Sequence, residues 1–347
     1  GGCARRVVQR RRLNRIEVRV DGLILAGDVG GTKTHLGLFK QSAGTLEIVR
    51  ERRYPTSQFD SLEAACAAFL GANAAVNAVC LGVPGPIIDG RAHATNVAWQ
   101  LSSVSLSRAL NGVPVRLIND LTAMAYGMVH LKPAEFAVLH RAENPPEHGN
   151  VAVLAAGTGL GESALVWEGD KYYAVASEGG HSDFAPHGAE QIELLRFVAG
   201  EFGHASYERV LSGPGLWNIY RFLRRESRAE EPAWLSGQIA SGDPSAAVSE
   251  AALKGRDPVC VHALAMFCDI YGSEAANLAL KVLALGGVFL GGGIAPKILP
   301  MLTDGTFARG FLSKGRLNEI LKRIEVRVSL NPAAGLLGAA HYAAAML

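Results

Sequence analysis

A carboxylate at the junction of a strand and a helix is the first candidate for acid–base chemistry. Asn119 and Asp120 end an apolar run at 115–119 and open a helical run that extends to His130. Ligands of α/β proteins bind at the carboxyl edge of the sheet, so Asp120 could act there as a general base. An Asx residue in this place also caps a helix by accepting hydrogen bonds from first-turn N–H groups. The local sequence leaves both interpretations open.

A second segment places a carboxylate and an imidazole around two glycines. In the string SEGGHSD at 177–183, Glu178 and His181 stand three residues apart, so both side chains can point into one cleft. A carboxylate that accepts hydrogen bonds from two hydroxyls suits a polyol. The alternative is a turn in which Glu178 is solvent-exposed and Asp183 holds His181; a metal pair is disfavoured because no second His or Cys stands at ligand spacing. Glu208, taken alone, is typical of a charge at a helix start.

Three glycine clusters follow apolar, strand-like runs: GDVGGT at 27–32, GTGLG at 157–161 and GGG at 291–293. Small residues let backbone N–H groups approach an anion closely, and phosphate is the natural guest. The first cluster is not a P-loop, since Thr32 stands where that motif needs glycine, and it lacks the following helix of a dinucleotide fingerprint. One cluster alone is also typical of a hairpin turn. Three together indicate backbone-lined clamps on a nucleotide.

The elements that must position these residues alternate between strands and helices. The stretches 23–39 and 151–167 each contain two apolar runs joined by a glycine turn, which predicts two β-hairpins. Strands that alternate with helices indicate an α/β class, and the repeated hairpin indicates two similar halves. Strands are also predicted at 115–119 and from 288, and helices at 61–70, 120–130, 189–200, 214–225, 258–285 (capped by Asp257, with Gly272 as a candidate kink) and 331–347.

Composition and charge exclude several classes of protein. The 347 residues, 49% hydrophobic and 19% charged, predict a compact protein of about two domains. A net charge of +2 is too near zero to imply a nucleic-acid or anionic-membrane partner. The five cysteines show neither a C-x-x-C pair nor zinc-finger spacing, which favours a reducing cytoplasm. The longest uncharged apolar stretch, 282–296, falls short of the roughly 20 residues that a membrane-spanning helix needs.

The positive charge is concentrated at the N-terminus. Residues 1–20 hold seven arginines against Glu17 alone, a net charge of +6 that leaves −4 on the remaining 327 residues. The segment has no apolar core of a signal peptide and no serine, which also argues against a transit peptide. We expect residues 1–21 to be a flexible basic extension, or a segment that precedes the natural start site. A nucleic-acid or membrane arm is the alternative.

Seven strings occur in an order that resembles the bacterial glucokinase family. They are GDVGGT, TNVAW at 95–99, IND at 118–120, AGTGLGES at 156–163, SEGGHSDFAP at 177–186, ERVLSGPGL at 208–216 and FLGGGIAPK at 289–297. The resemblance covers the chain from about Leu23 to its end, and EGGHxDFAP and ERVLSGPGL are its most specific strings. The sequence lacks the zinc-type cysteine cluster of the related ROK sugar kinases, which favours the non-ROK branch.

The resemblance implies the fold shared by hexokinases, actin and chaperone ATPases. This is a two-domain α/β, ribonuclease H-like architecture in which each domain holds a mixed sheet flanked by helices, with the active-site cleft between them. We place the smaller domain, with the first phosphate loop, at 22–130 plus 331–347. The larger domain is placed at 131–330, with the second phosphate loop and a glycine turn on the nucleoside side.

The resemblance also implies roles for individual residues. Asp120 matches the catalytic base, and the sugar-binding positions are Asn119, Asp120, Glu178, His181 and Glu208. The positions of the ATP site are Gly27, Asp28, Val29, Gly30, Gly31 and Thr32 in the first phosphate loop, Thr158 and Gly159 in the second, and Gly292 in the nucleoside-side turn. Asp28 is expected to hold Mg²⁺ through water.

The activity implied by the resemblance is ATP-dependent phosphorylation of the 6-hydroxyl of D-glucose to glucose 6-phosphate, which feeds glycolysis. We expect a cytoplasmic homodimer that uses Mg-ATP and has no nucleic-acid or membrane partner. The alternatives are a kinase of another hexose and a non-catalytic, sugar-responsive regulator on the same fold, although 20 Arg-rich residues are too short for a helix-turn-helix. An actin-like or chaperone ATPase would have no use for Glu178, His181 and Glu208 together.

Overall fold

The computed structural model of the chain describes residues 22–42, 45–71, 75–92 and 97–347. The predicted basic extension at 1–21 lies outside the described residues, as do the first two residues of the TNVAW string.

The described residues contain strands that belong to two large sheets and one small one. In chain order they are β1 (Gly22–Val29), β2 (Lys33–Ser42), β3 (Thr45–Pro55), β4 (Ala78–Val83), β5 (Ile87–Ile88), β6 (Arg91–Ala92), β7 (Leu101–Ser102), β8 (Val115–Asn119), β9 (Phe136–His140), β10 (Val151–Ala156), β11 (Leu160–Trp167), β12 (Tyr172–Val175), β13 (Gly287–Gly291) and β14 (Val326–Ser329).

The helices flank the two large sheets. In chain order they are α1 (Leu62–Leu70), α2 (Ser103–Ala109), α3 (Asp120–Met128), α4 (Gly188–Phe202), α5 (Gly213–Ser227), α6 (Ala233–Ser241), α7 (Pro244–Leu253), α8 (Pro258–Val282), α9 (Leu299–Leu302), α10 (Thr306–Phe311), α11 (Asn318–Leu321) and α12 (Ala334–Ala344).

The first sheet has the strand order β3-β2-β1-β4-β8. β1 and β2 form an antiparallel hairpin, whereas β1, β4 and β8 run parallel to one another. In this register Asp28 pairs with Gly82, and Val83 pairs with Asn119. The carboxyl ends of three parallel strands therefore bring Asp28 and Asn119 to one edge of the sheet.

Strand β1 is buried on both faces in its middle part, which explains why its sequence is apolar up to Asp28. Ile24 and Ala26 pack with α3 and α12 on one face, while Leu25 and Val29 join the core beneath α1 and α2 on the other. Successive side chains of a strand point to opposite faces, so a strand covered on both sides needs apolar residues at every position.

The second sheet has the strand order β12-β11-β10-β13-β14-β9 and repeats the pattern of the first. β10 and β11 form the hairpin, and β10, β13 and β14 run parallel. Its helices, with α8 at the centre, form the largest apolar cluster of the described residues. Asp257 caps α8 as predicted, because its Oδ1 accepts a hydrogen bond of 2.8 Å from the N–H of Cys260.

Gly272 has a different role from the predicted kink. Helix α8 is continuous from Pro258 to Val282, and a Cβ at residue 272 would overlap the carbonyl oxygen of Phe307 in α10. The glycine therefore allows two helices to pack closely.

Helix α3 lies between the two sheets. A Cβ at Gly161 in β11 would overlap Leu121, and a Cβ at Gly291 in β13 would lie 2.5 Å from Met124 Sδ. On its other side α3 crosses α12 closely, since a Cβ at Gly338 would overlap the carbonyl oxygen of Ala123. The helix that begins at Asp120 is thus held by both halves of the molecule.

The predicted hairpins and fold class are confirmed. The hairpin β1–β2 covers 22–42 and β10–β11 covers 151–167, and each half combines a mixed sheet with flanking helices. The predicted helix at 61–70 begins one residue later, because Ser61 caps it from outside. Among the described helices, none is both long and apolar enough to cross a membrane.

Candidate active site

Asn119 is the last residue of β8, and Asp120 is the first residue of α3. The two interpretations of this junction, a helix cap and a general base, apply to different residues. Asn119 is the helix cap, because its Oδ1 accepts hydrogen bonds from the N–H groups of Leu121 (2.9 Å) and Thr122 (3.3 Å). Its Nδ2 donates to the carbonyl oxygen of Gly85 at 3.3 Å. The Asp120 carboxylate accepts one hydrogen bond through Oδ1, from the Leu121 N–H at 2.9 Å. Asp120 is therefore not needed as the cap.

The electrostatic surroundings of Asp120 suit a proton acceptor. Burial and the neighbouring negative charges of Asp28 and Glu178 raise the pKa of Asp120 to about 6, against the lowering effect of the Leu121 hydrogen bond. A carboxylate with this pKa is ionised at pH 7 yet holds a proton more readily than an exposed aspartate does. The same interactions show that Asp28 and Glu178 both lie within electrostatic reach of Asp120.

The first predicted phosphate loop is partly strand and partly turn. Gly27, Asp28 and Val29 are the last residues of β1, and the turn proper consists of Gly30, Gly31 and Thr32. Gly27 is small for a packing reason, since a Cβ there would lie 2.6 Å from Leu81 Cδ2. Gly31 and Thr32 are exposed, so the turn is accessible to a ligand.

Thr56 fixes the shape of this turn from outside it. Its hydroxyl donates a 2.6 Å hydrogen bond to the carbonyl oxygen of Gly30, and its N–H donates to that of Thr32 at 3.0 Å. Within the turn, the Gly30 N–H donates to the carbonyl oxygen of Lys33 at 2.9 Å. These contacts hold the turn in one conformation without a ligand.

Asp28 has the chemistry expected of a residue that holds a cation. Burial raises its pKa, while the charge of Arg53 lowers it. The neighbouring Asp120 adds a second negative charge, and a divalent cation would neutralise both. No group of three or more metal-ligating side chains occurs in the residues that the structure describes. Such a group is not required for Mg²⁺, which keeps several waters and binds through one or two carboxylates and substrate phosphates.

The second and third glycine turns lie side by side. The Gly157 N–H donates to the carbonyl oxygen of Gly159 at 2.8 Å, which closes a tight turn and leaves Thr158 exposed. Gly292 has a φ of 79°, and a Cβ there would overlap the carbonyl oxygen of Ala156, the residue just before the second turn. Only glycine combines this positive φ with this close approach to another backbone. The second and third turns are therefore in contact and form one backbone-lined surface.

Glu208 and His181 lie together on the larger half of the molecule. His181 Nδ1 is 4.0 Å from Glu208 Oε1, and Glu208 Oε2 accepts a 3.0 Å hydrogen bond from the Leu160 N–H. The suggested pair of His181 with Asp183 is wrong, because Asp183 Oδ1 is bonded to His204 Nε2 at 2.7 Å. Glu208 lies in a 3-10 turn at 207–209 rather than at the start of an α-helix. The side chain of His181 is 61% exposed and thus free to contact a ligand.

A cavity of about 450 Å³ opens between the two halves; Asp120, His181 and Glu208 are not among the residues that line it. Asn119 and Glu178 line it from opposite sides, together with Ile118, Tyr126 and Ser177. A cleft whose wall alternates polar groups with apolar side chains fits a small polyhydroxy ligand, whose hydroxyls need partners and whose carbon faces do not.

Three residues near the site were not found from the sequence. Gly335, in the first turn of α12, lies so close to Asp28 that a Cβ would be 3.0 Å from its Oδ2. Glu162 and Glu274 are buried carboxyl groups behind the segment that carries Glu178. The small-residue spacing of Gly335 and Gly338 was a signal for a close helix contact, whereas nothing local marks the two glutamates as buried.

Comparison with the sequences of known proteins gives the family of the chain. The family model described as Glucokinase matches residues 25–346. A glucokinase of Nostoc sp. is 39% identical over 339 residues, covering 93% of this chain and 99% of its own length, and one of Synechocystis sp. is 39% identical over 346 residues, covering 92% and 97%.

Solved structures are similar over the same range. The crystal structure of a glucokinase from an Antarctic psychrotroph superposes with a TM-score of 0.82 at 31% identity, covering 92% of this chain and 98% of that one. A ROK-family glucokinase of Streptomyces griseus, in complex with glucose and AMPPNP, gives a TM-score of 0.64 at 27% identity over 93% and 99% of the two chains. The family match, the identity to these relatives and the structural similarity agree, and the chain belongs to the glucokinase family.

Proposed function

We propose that the protein is an ATP-dependent glucokinase that transfers the γ-phosphoryl group of ATP to the 6-hydroxyl of D-glucose, with Asp120 as general base. The observation that carries this proposal is the position of Asp120. It lies at the sheet edge beside Asp28 and Glu178, and its pKa is raised to about 6. Family membership and the solved relative with glucose and AMPPNP support the substrate pair. The products are glucose 6-phosphate and ADP, and glucose 6-phosphate would feed glycolysis.

In this mechanism the chain supplies positioning and a proton acceptor. Asp120 orients the 6-hydroxyl for in-line attack and takes its proton on a carboxylate oxygen as the new bond to phosphorus forms. The backbone N–H groups of Gly31, Thr32, Thr158 and Gly159 hold the phosphates, and Gly292 borders the nucleoside. Asp28 would hold Mg²⁺ through water, and the ion when bound neutralises charge on the phosphates.

Sugar recognition is assigned to side chains from both halves of the molecule. Asn119 and Asp120 come from the junction of β8 with α3, and Glu178, His181 and Glu208 come from the 3-10 turns on the other side. Each can accept or donate to a secondary hydroxyl. Once the site has closed on the sugar, a sugar that lacks or inverts one hydroxyl would leave one of these polar groups unpaired, which costs about 1 to 3 kcal/mol.

Because the sugar-binding side chains come from both halves of the molecule, we propose that the halves are two domains that close on the substrates. We propose the boundaries 22–130 plus 331–347 and 131–330, supported by sheet membership, because β1 to β4 and β8 belong to the first sheet and β9 to β14 to the second. Closure would exclude water, which could otherwise take the phosphoryl group.

Oligomeric state and location are parts of the same proposal. A homodimer is expected from the family resemblance, and light scattering on the purified protein tests it. Action in the cytoplasm is supported by the free, buried state of Cys66, Cys80, Cys260 and Cys268, all four of the cysteines in the described residues.

Release of ADP from Mg-ATP, measured with glucose, mannose, fructose, glucosamine and N-acetylglucosamine, tests the activity. A strong preference for glucose that Asp120→Ala abolishes is the expected result. Preference for another hexose would keep the mechanism and change the substrate. Absence of sugar-stimulated turnover would favour the non-catalytic regulator.

A further inference from the structure

Two carboxyl groups are buried together behind the sugar-binding turns. Glu162 in β11 is 2% exposed and Glu274 in α8 is fully buried. The two groups interact directly, yet Oε1 of each lacks a hydrogen-bond donor among the described residues. Two ionised carboxylates in contact repel each other, and a buried acceptor without a donor costs about 1 to 3 kcal/mol. One proton held between the groups would supply the missing donor and remove the repulsion.

The charged neighbours of the pair balance one negative charge more readily than two. Lys281 Nζ is 3.7 Å from Glu274 Oε1, with its own side chain 56% exposed. Lys314 Nζ donates to Ser273 Oγ at 2.9 Å, and burial lowers the pKa of this lysine. The remaining titratable groups that face the pair are the phenols of Tyr207 and Tyr271.

The pair is in contact with both sugar-binding turns. Glu162 Oε2 lies against Gly179, so closely that a Cβ at residue 179 would overlap it, and Gly179 directly follows Glu178. On the other side, Asn277 Nδ2 donates to Glu274 Oε2 at 2.7 Å and to the Tyr207 hydroxyl at 2.8 Å. Tyr207 directly precedes Glu208, so one buried cluster supports the backbone beside two of the assigned sugar ligands.

We propose that Glu162 and Glu274 share one proton and act as a positioning pair, which holds the backbones at Gly179 and Tyr207 so that Glu178 and Glu208 face the sugar. The role of the two ligands rests on the proposed function. Neither Glu162 nor Glu274 touches the substrate in this proposal, and their effect is on glucose affinity rather than on the chemical step.

The shared proton predicts a pH dependence of glucose binding. Burial and the charge of Glu274 raise the pKa of Glu162 above its ordinary value. As the pH rises through this raised pKa the proton leaves, the two charges repel, and the turns separate. Glucose binding should therefore weaken with rising pH, and we expect the Kd to rise about tenfold.

Calorimetric titration of glucose between pH 6.5 and 9.5 tests the positioning role. Wild type is expected to show the tenfold rise. Glu162→Gln is expected to keep a nearly constant Kd, because an amide donates to Glu274 without titrating. The control Asp257→Asn removes another buried carboxylate, bonded to Arg224 at 2.8 Å, and should show the wild-type rise. A Kd in wild type that does not change with pH, or an equal rise in Glu162→Gln, would overturn the proposal.

Thermal unfolding provides a test that does not depend on sugar. The folded pKa of Glu162 lies above its unfolded value of about 4.5, so its contribution to stability is lost as the pH rises from about 4.5 through the folded pKa. The Tm of Glu162→Gln relative to wild type should therefore increase over this interval. A Tm difference between the two proteins that does not change with pH would contradict the shared proton. Should wild type bind no glucose while this difference appears, the proposed function would be wrong and the proton pair would stand.

If Glu162→Gln does not fold, Glu274→Gln is the mirror variant, and it should show the same two effects. The amide oxygen can take the place of Oε2 and accept from Asn277, and the amide nitrogen can take the place of Oε1 and donate to Glu162, with loss of the ion pair to Lys281. If Glu274→Gln keeps the wild-type pH dependence of both the glucose Kd and the Tm, the proposal is also overturned.

Discussion

Gly159 lies against the carboxylate of Glu208, so that a Cβ on Gly159 would overlap Glu208 Oε2. The next residue, Leu160, donates its N–H to the same oxygen at 3.0 Å. A residue assigned to the phosphate loop and a residue assigned to the sugar are therefore in direct contact, and the backbone of the loop sets the position of the carboxylate.

Gly159→Ala should weaken glucose binding by displacing Glu208. We expect the glucose Kd to rise about tenfold, which corresponds to about 1.4 kcal/mol. Gly157→Ala is the matched control, because its Cβ would meet nothing within 4 Å. Equal glucose Kd values for the two variants, measured by calorimetry, would show that this contact does not position Glu208.

Asp120→Asn should abolish most turnover while leaving the sugar bound. An amide keeps the size of the side chain but cannot accept the proton, so kcat should fall about 10²- to 10⁴-fold. The glucose Kd should change little. Asp170→Asn, at an exposed turn between β11 and β12, is the control. Turnover of Asp120→Asn equal to wild type would exclude Asp120 as the base.

The pH profile of kcat/KM should report the same group. The pKa of Asp120 is raised to about 6, and the base works only when ionised. Activity should therefore be lost as pH falls, to half its plateau at about pH 6 and to about one-tenth at pH 5. Initial rates at low glucose concentration measure this ratio. A flat profile between pH 5 and 7 would contradict the assignment.

Glu178→Gln should act mainly on affinity. The amide can still accept one hydrogen bond but loses the charge that strengthens bonds from sugar hydroxyls. We expect the glucose Kd to rise about 5- to 100-fold, corresponding to about 1 to 3 kcal/mol. Glu168→Gln, on the exposed turn after β11, serves as control. Unchanged glucose binding by Glu178→Gln in calorimetry would remove it from the sugar site.

Gly338→Ala should destabilise the fold at the crossing of α3 and α12. The added methyl would overlap the carbonyl oxygen of Ala123, and overpacking of this kind costs about 1 to 3 kcal/mol. Gly237→Ala, on an exposed face of α6 with nothing within 4 Å, should instead be neutral or stabilising by up to about 1 kcal/mol. Thermal unfolding of the two variants compares them. A Tm for Gly338→Ala at or above wild type would show that the helices can separate without cost.

The hairpins and the junction at Asp120 could be predicted from the sequence because their signals are local. Glycines interrupt apolar runs at 27–32 and 157–161, and a strand ends where Asn119 and Asp120 begin a helix. Local patterns also placed the start of α8 at its Asp257 cap.

The buried carboxyl pair could not be predicted in this way. Glu162 stands in a strand and Glu274 in a long helix, far apart in the sequence, and an isolated glutamate in either setting is usually solvent-exposed. Their burial depends on how β11 and α8 pack. In the same way, the pairing of Asp183 with His204 rather than His181 is decided by tertiary contacts that the spacing of residues does not contain.

The packing of α12 has a consequence for synthesis on the ribosome. Ala339, Ala340 and Ala343 of this helix cover the face of the first sheet that includes Ile24 and Ala26, although these strands emerge early in translation. Helix α3 covers part of that face through Ala123, but the rest stays uncovered until residues 334–344 are made, and an uncovered sheet is a surface on which nascent chains associate. Helix α3, which begins at Asp120, can pack against α12 only after Gly338 has left the exit tunnel. Kinase activity should therefore appear after synthesis of the second half, and folding of the first half cannot be completed in order of synthesis.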